Sequence, residues 1–109
     1  MLTYGEGRYK IWLEKKHLGK DLLLILGGGE KPHIGGVVVC EPGGVTKVVG
    51  LEGHYDHQVL RSLAEAAYKK YKVTVVATGG IHIDNATKEE IDIIVKNCDE
   101  LTKKFIYLS

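Results

Sequence analysis

The chain has 109 residues, with 15 basic and 14 acidic side chains and a formal net charge of +1. With 44% hydrophobic and 27% charged residues it has the make-up of a soluble globular protein, and the even charge balance gives no global electrostatic case for nucleic acid. The longest apolar runs, Leu22 to Leu26 and Val37 to Cys40, are too short to span a bilayer, and the charged start (Glu6, Arg8, Lys10) has no signal-peptide core.

We therefore expect one cytoplasmic domain over residues 1–109, bound to neither membrane nor nucleic acid. Cys40 and Cys98 belong to no CxxC pair and read as reduced core thiols.

Residues Arg8 to Lys16 alternate, with Tyr9, Ile11 and Leu13 on one face and Lys10, Trp12 and Glu14 on the other, which is strand periodicity. A turn at His17–Lys20 leads to a second strand over Asp21 to Leu26, apolar enough to be buried on both sides. The segment GGGEKPHIGG, Gly27 to Gly36, follows as a loop. Gly36 to Glu41 and Val45 to Leu51 make a second hairpin around Pro42-Gly43-Gly44. From Asp56 to Tyr71 the apolar residues Val59, Leu60, Leu63, Ala67 and Tyr71 recur at helical spacing. Lys72 to Thr78 is a valine-rich strand that belongs near the middle of a sheet.

Thr87 and Glu90 form a capping box. It opens a helix expected to bury Ile91, Ile94, Val95, Cys98, Leu101 and Phe105. The tail Phe105 to Leu108 is left as an extra strand, a helix extension or a docking segment. The order ββββαβα predicts an α+β fold. Its sheet is mostly antiparallel, of about five or six strands, with two helices on one face.

Three glycine-histidine clusters stand where strands end: Gly27 to Gly36, EGHYDHQ (Glu52 to Gln58) and TGGIHIDN (Thr78 to Asn85). Four of the five histidines, His33, His54, His57 and His82, lie in them. The first cluster offers an arc of backbone N–H groups that would nest a phosphate, or it is a connection that needs glycines for sterics. It is neither a P-loop nor a dinucleotide fingerprint, because no helix follows it.

In the second, His54 and His57 share a helix face if both are helical, and His82 or Asp84 would complete a metal site. An anion-contacting or structural role, with Asp56 as N-cap, is favoured over a metal. In the third, alternation sets His82 and Asp84 opposite Ile81 and Ile83, so that a carboxylate can orient the imidazole. No nucleophile–base set stands out, which argues against a serine or cysteine hydrolase.

The four-strand opening, Gly53-His54 entering the first helix and Gly80-Ile81-His82-Ile83-Asp84-Asn85 entering the last resemble the prenylated-flavin chaperone-like domains. Those domains are similar in fold to proteasome assembly chaperones, often paired as dimers. The resemblance implies a non-catalytic module that binds prenylated FMN or FMN, or an apo-decarboxylase, and works as a homodimer. On that reading Gly27, Gly28, Gly29, Gly35 and Gly36 hold the phosphate with Gly53 at the helix start. Lys31 neutralises charge, and His33, His54 and His82, beside Gly80 and Asp84, meet the ring system or phosphate. Two alternatives stay open: an interaction chaperone without a small ligand, and a metal-dependent enzyme using His54, His57 and His82.

Overall fold

The computed structural model describes residues 1–51 and 56–108, with 45 and 46 by their backbone only. Six strands form one mixed sheet: β1 (Leu2–Tyr4), β2 (Ile11–Leu18), β3 (Asp21–Gly29), β4 (Gly36–Glu41), β5 (Gly44–Gly50) and β6 (Val75–His82). Two helices, α1 (His57–Tyr71) and α2 (Lys88–Leu108), complete the α+β fold. The spatial order is β1-β2-β3-β6-β4-β5. β6 inserts between the two hairpins, parallel to β3 and antiparallel to β4; every other pair is antiparallel. The valine-rich strand is thus central, as its apolar run demands.

Alternation fixes which face is buried. Ile11, Leu13, Leu22, Leu24, Leu26, Val38, Cys40, Val75 and Ala77 point to the helices. From α1 come Leu60, Leu63, Ala64 and Ala67, and from α2 Cys98, Leu101 and Phe105. Both cysteines are reduced and buried, and burial pushes the Cys98 thiol up to about 12. The capping box is present: Glu90 N–H donates to Thr87 Oγ1 at 3.2 Å, and Thr87 N–H donates to Glu90 Oε1 at 3.0 Å.

Several boundaries differ from the sequence reading. β1 was not expected. Gly7–Tyr9 is a 3-10 turn rather than the start of a strand, closed by N–H donation from Tyr9 to Glu6 O and from Lys10 to Gly7 O. Tyr9 consequently leaves the strand face, and its hydroxyl donates a hydrogen bond to Glu90 Oε2 at 2.8 Å.

β3 continues through Gly29, and β6 runs from Val75 through His82, so both glycine runs lie inside strands. Lys72 is the left-handed C-cap of α1, not a strand residue. The tail Phe105–Leu108 extends α2. Ile91 and Val95 were placed in the core but are 52% and 42% exposed, because the face they share opens onto a cleft.

Candidate functional site

The β3–β4 connection must cross the C-terminal end of β6, and this crossing builds the site. Glu30 N–H and Lys31 N–H both donate to His82 O, at 2.8 and 3.2 Å. His33 N–H donates to Gly80 O at 3.4 Å, and Gly35 N–H to Gly79 O at 2.8 Å. Gly29 N–H donates to Lys10 O.

The expected nest of unengaged N–H groups is therefore not formed. Gly27, Gly28 and Gly29 lie in the ladder between β2 and β6, and Gly36 lies between β5 and β6. Backbone polar groups inside a sheet find partners there.

Those side chains gather into a polar rim. Lys31 Nζ pairs with Asp84 at 3.2 Å, and His82 Nε2 lies 3.0 Å from Asp84 Oδ1. The His82 hydrogen bond, followed by Lys31, holds the Asp84 carboxyl below its ordinary range. This is the expected arrangement of His82 oriented by a carboxylate. The rings of His33 and His82 meet edge to face, with centroids 6.1 Å apart.

Arg8 reaches Glu30 at 3.2 Å, Glu90 at 3.3 Å and the Asp84 carbonyl at 3.1 Å. Glu30 Oε1 in turn accepts the Asp84 N–H. The capping Thr87 N–H, then the Tyr9 hydroxyl, keep Glu90 ionised below its ordinary range.

Asp56 joins rim and sheet. Its backbone is already helical, so its carboxylate does not cap α1 as expected. Instead Oδ1 accepts the Ile81 N–H at 3.0 Å, and Oδ2 lies 3.2 Å from His33 Nε2. The other His33 nitrogen, Nδ1, lies 3.2 Å from Lys31 O. Both ring nitrogens face oxygen acceptors, so a neutral ring satisfies one and an imidazolium both. Gly35 and Gly80 lack side chains where Asp56 and His33 approach: a Cβ on Gly35 would overlap Asp56 Oδ2.

Behind the rim a cleft of about 510 Å³ opens between α1 and α2, floored by Ile81 and Ile83. Val59, Ile91, Ile94 and Val95 line its walls, with Ala86 at the β6–α2 turn. Asp56, Gln58, Ser62, His82 and Asp99 supply its polar groups. That size and make-up, mostly apolar with a few converging polar groups, suit a small-molecule site.

The structure thus brings Lys31, His33, Gly35, Gly80, His82 and Asp84 together. Gly53 and His54 lie outside the described residues. The His57 ring packs on Gly50, and its buried Nδ1 has no hydrogen-bond partner among the described residues. Among those residues no three His, Cys, Asp or Glu side chains group to hold a metal.

Sequence reasoning did not single out Arg8 or Glu30. Arg8 sits in no motif, and Glu30 lies inside the first glycine cluster with no role assigned to it; the fold brings both to Asp84 from distant positions in the chain. It gave Asp56 a different job, because an aspartate before a helix ordinarily caps it.

The chain is similar to Protein LpdD of Lactiplantibacillus plantarum, with 28% identity over 109 residues that cover 95% of this chain and 80% of that protein. The family model for the prenylated flavin chaperone LpdD-like domain matches residues 5–108, which includes every strand except β1, both helices and the whole rim. The chain belongs to the prenylated flavin chaperone LpdD-like domain family.

Proposed function

We propose that this protein is a non-catalytic carrier that holds a phosphorylated flavin-type cofactor, prenylated FMN or FMN, and delivers it to an apo-decarboxylase. The unit that does so is a cytoplasmic homodimer. One observation carries the reading: an apolar cleft of about 510 Å³ is lined at one edge by His82, which is tied through Asp84 to Lys31 and meets the His33 ring.

A fused-ring cofactor needs flat apolar walls and a few donors at one edge. Ile81, Ile91, Ile94 and Val95 supply the walls, and His82 stands at the edge. Lys31, tied to the Asp84 carboxylate that also holds His82, is the cation for a phosphate. It is already paired with Asp84, so an incoming anion competes with that carboxylate. Such competition favours modest affinity and ready release, which suits a carrier.

Calorimetry with prenylated FMN and plain FMN tests this. Wild-type protein is expected to bind one of them in the micromolar range, about −8 kcal/mol. His82→Ala and Ile94→Trp are expected to weaken that binding about tenfold or more, since one removes the edge and the other fills the cleft. No heat from either flavin at protein concentrations far above micromolar would end the carrier reading.

A second reading has its own observation. Ile91, Ile93 and Val95 are all more than 40% exposed on α2, and a protein partner would cover them. In this version the protein captures the apo-decarboxylase without a flavin. Capture that survives His82→Ala and is lost in Ile93→Arg would favour it.

A further inference from the structure

The helices cover one face of the sheet and leave the other bare. On the bare face of the three central strands stand Leu23 and Ile25 from β3, Val76 and Thr78 from β6, and Val37 and Val39 from β4. Five of these six are apolar, and all are only partly buried. A sheet face designed for water would alternate to polar residues here.

Charge enters at the margins, with Glu14 and Lys16 on β2 and Lys47 on β5. An apolar centre within a charged margin is the anatomy of a protein interface. The Trp12 ring lies on Gly27 at one end of the face, and Leu18, 69% exposed, stands at the other end of β2.

We infer that this bare face is the contact between two copies of the chain, packed sheet to sheet about a twofold axis that crosses the strands level with Lys15. This deepens the homodimer of the proposed function by giving its face and symmetry, and it needs no ligand.

The register supplies the argument. Lys15, Leu24, Ala77 and Val38 form one row across the sheet. The rows on either side are Glu14, Ile25, Thr78, Val37 and Lys16, Leu23, Val76, Val39. A twofold through the Lys15 row sets each of these rows on the other. Glu14 then meets the partner's Lys16, and Lys16 meets the partner's Glu14. Ile25 meets the partner's Leu23, Val37 the partner's Val39, and Trp12 the partner's Leu18.

Across β2, β3, β6 and β4 the pattern is self-complementary in charge and hydrophobicity, as an isologous contact requires, while Lys47 on β5 meets the partner's Val49 at the margin. The five longer strands, β2 to β6, about 4.8 Å apart and each about 20 Å long, give a footprint on the order of 500 Å². Side-chain relief brings this toward the roughly 800 Å² that one partner contributes to a standard interface.

Sedimentation equilibrium on the full chain, without flavin, is the test. Wild type is expected to be a dimer. Glu14→Lys alone sets like charges together twice and is expected to weaken the dimer about tenfold or more, and Glu14→Lys with Lys16→Glu is expected to restore it. Ile25→Arg is expected to give a monomer with an unchanged circular dichroism spectrum.

The two charge variants lie at the solvent edge, so they decide the matter even if Ile25→Arg unfolds. A wild-type monomer at all concentrations would overturn both the face and the homodimer. A dimer indifferent to these changes but broken by Ile91→Arg would overturn the face alone. Neither result bears on flavin binding.

Discussion

Asp56 is the residue on which the rim turns. It is 12% exposed, accepts the Ile81 N–H with one oxygen and faces His33 with the other. Asp56→Ala leaves that N–H without its acceptor, and the expected cost is about 1–3 kcal/mol in urea unfolding. Asp56→Asn, which keeps the acceptor, is expected to cost less; equal losses for both would contradict the assignment.

Asp84 gives a pH prediction. Its folded carboxyl titrates below the ordinary 3.8, so its tie to His82 and Lys31 is fully present above that value and is lost as pH falls through the lowered one. An NMR titration of the Asp84 carboxyl is expected to show a midpoint below 3.8, moving upward in His82→Ala. A wild-type midpoint at or above 3.8 would count against the tie. The His82–Asp84 pairing was legible from alternation in Ile81-His82-Ile83-Asp84. The role of Asp56 was not, because His33 is 23 positions away in sequence and Ile81 is 25.

At the scale of elements, the helical stripes and the N-terminal cap of α2 were the most legible. The 3.6-residue stripe of α1 and the Thr87–Glu90 box are local signals, and local physics makes them. Strand ends were less so. Glycine reads as a breaker, yet β3 and β6 carry Gly27–Gly29 and Gly79–Gly80 inside the ladder.

Gly79 shows why. Its φ is +127°, and a Cβ there would overlap the Leu26 carbonyl oxygen. The two parallel strands come together only because nothing projects at that point. Gly79→Ala is expected to destabilise the fold by about 3 kcal/mol or more. A thermal melt within a degree or two of wild type would refute this. The exposure of Ile91 and Val95 was hidden for a different reason: periodicity says which residues share a face, not whether that face is covered.

For the whole molecule, composition and element order were enough for an α+β sheet backed by helices, and β6 was expected near the centre. The insertion of β6 between the hairpins, parallel to β3, could not be read from the chain. It depends on pairings between residues about 50 positions apart, such as Leu24 with Ala77. The sheet therefore has one covered face and one bare one.

The late position of β6 in the chain sets a temporal order on folding. The hairpins β2–β3 and β4–β5 are local and can form early, but each has an edge that only β6 fills. While the chain is being synthesised, those edges wait until residues 75–82 have emerged. The crossing connection hangs its N–H groups on the carbonyls of the same strand. The rim is thus assembled by the last strand to arrive, and a half-made molecule has no place for a ligand.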